Sequence, residues 1–129
     1  MSKRNKYKPQ PFESKGGNNL SANIYATMLQ SPAYLTLSGG AVKLYNYMKL
    51  QLYGAKNIPD HPSTDFVFNW AMASKTYPIY TNKKQFYKDR DMLIEHGLIE
   101  YVENGKNTRT KSIYRFSDKW QVYLAVTEL

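Results

Sequence analysis

The side chains that could bind a ligand by charge and hydrogen bonding are concentrated in residues 81–96. This stretch, TNKKQFYKDRDMLIEH, carries four cationic residues, an asparagine and a glutamine. Lysine attracts phosphate by charge, and lysine or glutamine can hydrogen-bond to guanine or adenine edges in the DNA major groove. At about 100° per residue, Lys84 and Lys88 fall opposite Phe86 and Leu93. The pattern predicts a helix with an apolar inner side and a basic outer side suited to nucleic acid.

Residue types mark the ends of this helix. Thr81 is a good N-cap, and Gly97 suits the left-handed position after a last helical residue near His96. The outer face is basic in its first turns and acidic later, the reverse of what the helix dipole favours, at a cost of roughly a few tenths of a kcal/mol. An anionic partner at that end would offset this cost, and chance placement is the alternative.

Acidic residues in the same helix reduce its positive charge. Asp89, Asp91 and Glu95 leave the helix weakly positive, so its C-terminal half is expected to stay away from phosphates. Arg90 is assigned a structural role, in which its methylene stem packs and its guanidinium pairs with a carboxylate such as Asp89.

A second cationic group follows the helix. The runs LIEYVE and SIYRFSD are apolar or aromatic and of strand length, which predicts an antiparallel pair. The intervening NGKNTRTK carries Lys106, Arg109 and Lys111 with Asn107 as a polar neighbour. We expect a β-hairpin with a basic tip.

Several elements must position these two groups. SGGAVKLYNYMKLQLYG predicts a packing helix that is capped by Ser38 and ends at Gly54. Its apolar stripe runs through Val42, Tyr45, Met48 (or Lys49) and Leu52, with Leu44 flanking it. FVF, residues 66–68, reads as a short strand. NWAMASKTY suits a short helix that begins at Asn69 and ends near Pro78.

The segments at the two ends of this region are less regular. Pro32 splits residues 20–37 into short pieces. Its apolar residues are expected in the core: Ile24, Met28, Leu29, Leu35 and Leu37. Near the C-terminus Asp118 is expected to cap a short helix, whose apolar residues could close over the core: Trp120, Tyr123, Leu124 and Val126.

Length, charge and cysteine content bound the class of protein. A chain of 129 residues suits one domain, here assigned to residues 20–129, preceded by a disordered basic arm at residues 1–19. The net charge is +8, and half of it lies in residues 1–15. Without cysteine, disulfides and thiolate metal sites are excluded. The lack of a long apolar run or secretory signal leads us to expect a soluble cytoplasmic protein that does not span a membrane.

The order helix, strand, helix, turn, capped helix and hairpin over residues 36–117 resembles the winged helix-turn-helix fold. This fold is α+β, mainly α, with a two-stranded β-hairpin wing. The segments SPAYLTLSGGAVKLYNYM, LIEHGLIE and IYRFSDKW look like winged-helix proteins of plasmids, phages and conjugative elements of Gram-positive bacteria, among them replication initiators and regulators.

The resemblance implies that the second helix lies in the DNA major groove and that the wing reaches the backbone or minor groove. Carried over by position, the reading residues are Asn82, Lys83, Lys84, Gln85, Tyr87 and Lys88. The wing contacts are Lys106, Asn107, Arg109 and Lys111. We therefore expect a non-enzymatic protein that binds double-stranded DNA in transcriptional control or replication of a mobile element. Two-fold operators leave a homodimer open.

Two other classes of function compete with DNA binding. A nicking enzyme would need a nucleophile and a histidine-bound metal, but His61 and His96 are far apart in sequence, and no glycine-rich phosphate loop occurs. Asp60, His61 and Asp65 could bind a metal, with a solvated turn as the alternative. We expect no catalytic residue, metal or cofactor.

The other competing class is a protein-interaction or dimerisation module, which exposed aromatics around Trp70 and Trp120 would suit. Tyr77, Tyr80 and Tyr87 could stack on bases, and packing in or around the core is the alternative for each.

Overall fold

The computed structural model describes residues 24–54, 62, 64–103 and 112–123, which form a mainly helical α+β structure with a small antiparallel sheet. Several of the predictions lie outside these residues. They are the basic arm, Asp60 and His61, Leu124 and Val126, and the four wing residues Lys106, Asn107, Arg109 and Lys111.

The first described segment forms two four-residue helices, α1 (Ala26–Leu29) and α2 (Pro32–Leu35). Pro32 occupies the first position of α2, where its missing N–H costs nothing, and the Ser31 hydroxyl accepts a hydrogen bond from the Tyr34 amide at 3.3 Å. The sequence prediction was wrong for Leu29 and Leu35, which are 43% and 70% exposed. Helices this short turn one narrow side to the core, and in α2 Ala33 takes that position.

Helix α3 spans Gly39–Gly54 and begins at the predicted cap, where the Ser38 hydroxyl accepts from the Ala41 amide at 3.1 Å. Its buried side differs from the predicted stripe, because Leu44 is fully buried and Val42 is only partly so. This side packs against the strand at residues 65–67 and against the helix at residues 83–95. The residues that form it are Ala41, Leu44, Tyr45 and Met48.

Three short strands make the sheet: β1 (Asp65–Val67), β2 (Ile99–Glu103) and β3 (Ile113–Phe116). Their order is β1-β3-β2, and both pairings are antiparallel. The predicted pairing of the strands on either side of residues 104–111 is confirmed. The sequence did not indicate that β1 pairs with β3 on its other edge.

Residues 70–76 form the short helix predicted before Pro78. The Asn69 side chain accepts a hydrogen bond from the Met72 amide at 2.9 Å, as expected of a cap. Most of the segment, Met72–Thr76, has π-helical hydrogen bonding. It leads through a turn into helix α4, Lys83–Glu95.

Phe86 on α4 lies at the centre of an aromatic cluster. Its ring centroid is 6.2 Å from that of Phe68, 5.9 Å from Trp70 and 5.6 Å from Tyr80. The side chain is 1% exposed, as its position on the predicted inner side requires. Burial of these aromatic surfaces fixes α4 against the rest of the molecule.

The chain leaves α4 through Gly97, which has a φ of 83° and confirms the predicted left-handed end. A 3-10 helix, Lys119–Val122, packs next to this glycine. Asp118 occupies the N-cap position predicted for it, but its side chain makes no capping hydrogen bond within the described residues; the Ser117 hydroxyl accepts from the Lys119 amide at 3.1 Å instead. None of the helices in the described ranges combines the length and apolarity needed to cross a bilayer.

Candidate nucleic-acid interface

Helix α4 begins one residue later than predicted. The N-cap is Asn82, whose side-chain oxygen accepts from the Gln85 amide at 3.2 Å, and Thr81 precedes it. Asparagine caps helices better than threonine, which accounts for the shift. Asn82 therefore has a structural role as the N-cap of α4, in addition to the DNA contact predicted for it.

The outer side of α4 has the predicted residues. Lys84 and Lys88 are exposed, and Phe86 and Leu93 on the inner side are buried. Neither lysine forms an ion pair with any residue in the described part of the chain. Glu95 is also exposed, at the far end of the helix. The face is thus basic over its first two turns and acidic at its end.

The side chain of Asp89 points inward, which sequence reasoning missed. It is 1% exposed. Its carboxylate accepts from the Tyr80 hydroxyl at 2.6 Å, the Gln85 amide nitrogen at 2.9 Å and the Ser38 hydroxyl at 3.3 Å. Ser38 is the N-cap of α3, so the negative charge also lies close to the positive end of that helix dipole. These donors offset the cost of burying a charged group.

Tyr80 is one of the hydrogen-bond donors to Asp89, and it is too buried to stack on a base. Its ring is buried, and its hydroxyl is also 3.1 Å from the carbonyl oxygen of Gly40. Burial, followed by the hydrogen bond to the Asp89 carboxylate, raises the pKa of the Tyr80 hydroxyl well above its usual value. The hydroxyl therefore stays protonated and acts as a donor to the carboxylate.

Arg90 has the structural role predicted for it, but with a different carboxylate. Its guanidinium donates to one oxygen of Asp91 at 3.0 and 2.8 Å. Asp89 is not available to it because that side chain points toward α3. The guanidinium also lies 4.7 Å from the ring centroid of Tyr87 and 5.6 Å from that of Tyr101 on β2.

The flank of α4 that faces β2 therefore consists of alternating cations and rings. Tyr87 lies between the Lys83 ammonium, 5.9 Å from its ring centroid, and Arg90. Its side chain remains 37% exposed. Tyr87 therefore packs beside two cations and keeps part of its side chain accessible to a ligand.

The six predicted reading residues thus take four different positions on α4 and at its N-terminal end. Lys84 and Lys88 project outward, and Lys83 and Tyr87 line the flank next to β2. Gln85 is exposed on the opposite flank, next to α3, and Asn82 caps the helix. The Asp89 contact of Gln85 could have been suspected from the i, i+4 spacing of an amide and a carboxylate.

The remaining candidate residues have structural partners. Tyr77 donates to the Gln51 side chain at 2.8 Å and stacks on Phe68. Asp65 is buried and accepts from Arg115 at 2.8 Å. His96 is also buried, and its Nδ1 lies 2.9 Å from the Ala33 carbonyl oxygen.

Two other expected features can be compared with the structure. Trp70 and Trp120 are half-buried at the edge of the core, so they supply less exposed aromatic surface than a protein-binding module was expected to show. Over the described ranges, no three His, Asp or Glu side chains are grouped as metal ligands would be. Comparisons of the chain with protein-family models, with curated proteins and with solved structures gave no match.

Proposed function

We propose that this chain is a non-enzymatic winged-helix protein that binds double-stranded DNA, with α4 in the major groove and the connection between β2 and β3 on the backbone. The observation that carries the proposal is the exposure of Lys84 and Lys88 on one face of α4, free of salt bridges to other described residues. Two ammonium groups held about one helical turn apart suit the phosphates and base edges of a groove.

The inward orientation of Asp89 supports the proposal electrostatically. Two of the acids that weaken the positive charge of α4 in the sequence do not act freely on its outer face. Asp89 is buried among hydrogen-bond donors, and Asp91 is paired with Arg90. The carboxylate of Asp89 therefore lies on the inner side of the helix and the charge of Asp91 is balanced by Arg90, so the exposed charged side chains of the first two turns are lysines, which attract a polyanion.

The arrangement of elements is also compatible with the proposal. The segment Met72–Thr76, a short turn and α4 follow one another as the two helices of a helix-turn-helix do. β2 and β3 then pair antiparallel next to α4, where a wing would begin. By the resemblance in sequence, the process served is transcriptional control or replication initiation of a mobile element, and two-fold operators leave a homodimer open.

Charge reversal on α4 tests the proposal. We expect the double substitution Lys84→Glu and Lys88→Glu to abolish binding to duplex DNA in a gel-shift assay at low salt. Its free energy of unfolding should remain within about 0.5 kcal/mol of the original, because both side chains are exposed.

A matched control separates position from net charge. The double substitution Lys43→Glu and Lys119→Glu changes the net charge equally at two exposed lysines outside α4, and circular dichroism checks its folding because Lys119 lies 3.7 Å from Glu100. We expect it to retain most of the duplex affinity. The proposal fails if duplex binding survives the change on α4, or if the control abolishes it to the same extent.

A protein-interaction module is the second candidate, favoured by large apolar side chains that are exposed outside α4. They are Tyr25, Leu29, Leu35 and Val122. The two candidates differ in salt dependence, since binding through phosphates weakens steeply with added salt and an apolar interface changes little. A pull-down that yields a specific protein complex, from a chain that ignores duplex DNA at low salt, would support this candidate.

A further inference from the structure

The side-chain amide of Gln85 is held in one orientation by a buried carboxylate. Its Nε2 donates to Asp89 Oδ1 at 2.9 Å, and that carboxylate is fixed in turn by Tyr80 and Ser38. Carboxylate oxygens accept hydrogen bonds, so the nitrogen of the amide, rather than its oxygen, must face Asp89. The orientation of an exposed glutamine is thereby set from inside the protein.

The position of Asp89 allows little movement. A Cβ added at Gly40 would overlap Asp89 Oδ2, so the backbone of α3 packs directly against the carboxylate. Because the carboxylate is confined, its hydrogen bond to Gln85 also restricts the rotamers of the glutamine. Rotamer freedom that a free surface glutamine would lose on binding is already reduced in the folded protein.

One hydrogen-bonding pattern is left for a ligand. An amide offers one oxygen acceptor and two N–H donors, and Asp89 engages one of those donors. The oxygen and the second N–H of Gln85 remain on the exposed first turn of α4. Adenine presents a matching pair in the major groove, the N6 donor and the N7 acceptor.

Building on the proposed DNA-binding function, we propose that Gln85 reads an adenine through this pair of hydrogen bonds and that Asp89 is the residue that positions it. Guanine and thymine offer acceptors at the corresponding positions, and cytosine offers a single amino donor. None of the other bases satisfies both groups of the held amide, so the site discriminates for adenine at one position.

The test uses the full chain and duplex DNA selected from a random pool. We expect the selected duplexes to contain one position at which replacing adenine weakens binding by about 5- to 150-fold, the range of one bidentate contact. The variant Gln85→Met removes the amide at similar size and should lose the preference at that position alone. Preferences at the other positions serve as the internal control.

A modified base tests the contact atom by atom. Placing 7-deazaadenine at the selected position removes the N7 acceptor and leaves N6 in place. It should weaken binding by the original protein and leave the affinity of Gln85→Met unchanged. Equal effects on both proteins, or no effect on either, would overturn the adenine contact while duplex binding still supports the proposed function. Failure of the original chain to bind any duplex would overturn both.

The role of Asp89 has its own pair of variants. Asp89→Asn keeps an acceptor for Gln85 and should preserve the adenine preference, whereas Asp89→Ala removes the acceptor and should relax it. If Asp89→Ala is folded by circular dichroism and still shows the full preference, Asp89 is not a positioning residue. If Asp89→Ala does not fold, the test rests on Asp89→Asn. A folded Asp89→Asn protein that has lost the adenine preference would contradict the positioning role of Asp89.

Discussion

At the scale of single residues, Asp89 links three separate parts of the chain. It accepts hydrogen bonds from Ser38 before α3, from Tyr80 in the turn and from Gln85 on α4. A buried carboxylate is stable when such donors replace water, and removal of any one donor leaves part of the desolvation cost uncompensated. The cluster therefore contributes to stability as well as to the surface that α4 presents.

Removing one donor should measure this contribution. We expect Tyr80→Phe to lower the free energy of unfolding by about 1 to 3 kcal/mol, because the buried Asp89 carboxylate loses its closest donor. Urea denaturation followed by circular dichroism gives the value. Tyr87→Phe is the matched control, since its ring is partly exposed and its change should stay within about 0.5 kcal/mol. Equal values for the two variants would contradict the assigned role of the Tyr80 hydroxyl.

Arg90 connects the outer part of α4 to strand β2. Its guanidinium pairs with the adjacent Asp91 and lies over the rings of Tyr87 and Tyr101. The pair of aromatic contacts connects α4 to β2. We infer that Arg90 orients Tyr87 at the edge of the proposed interface, through packing as much as through charge.

At the scale of elements, the junction between α4 and β2 depends on Gly97. Its φ of 83° lies in the left-handed region, where a Cβ is disfavoured. The 3-10 helix also approaches closely, since an added Cβ would lie 2.7 Å from both the Lys119 carbonyl carbon and the Trp120 nitrogen. The junction thus sets the angle between the proposed recognition helix and the sheet.

A pair of glycine substitutions tests this junction. We expect Gly97→Ala to reduce the free energy of unfolding by at least about 1 to 2 kcal/mol, the cost of a left-handed conformation with a Cβ. Gly39→Ala is the control: nothing lies within 4 Å of its added Cβ, and alanine favours the helix, so its effect should be neutral or stabilising. Thermal and urea unfolding would measure both, and a neutral Gly97→Ala would show that the backbone relaxes there.

At the scale of the whole molecule, half of the net charge lies in the first fifteen residues of the sequence. The net charge is +8, and residues 1–15 hold five cationic residues and one acidic residue. A cationic segment contributes affinity through phosphates, which every DNA sequence provides equally. Sequence preference should then come from α4.

Deletion of residues 1–15 tests this division. We expect the affinity for all duplexes to fall by a similar factor, and the slope of log K against log salt to become shallower by about 0.9 for each phosphate that the arm no longer neutralises. Gel shifts with the selected duplex and a scrambled duplex across a salt series would measure both quantities. If only the selected duplex bound more weakly, residues 1–15 would contribute to sequence recognition, and the assignment of sequence preference to α4 alone would be wrong.

The sequence by itself determined the features that depend on local pattern. The helical period of residues 81–96 put Phe86 and Leu93 inside and Lys84 and Lys88 outside, and the structure confirms these orientations. Residue type fixed the Ser38 cap, and glycine is the residue that most readily adopts the left-handed conformation at position 97. Strand composition indicated the pairing of β2 with β3. Each of these signals acts within a few residues or, for the strand pair, across one connection.

Only the tertiary structure decided which groups became neighbours across the chain. Asp89 points inward because Ser38 and Tyr80, 51 and 9 residues away, supply donors there. Leu35 stays exposed because only one side of a four-residue helix can face the core. Burial of a polar or apolar group is settled by the partners that the fold brings to it, and no local period encodes those partners.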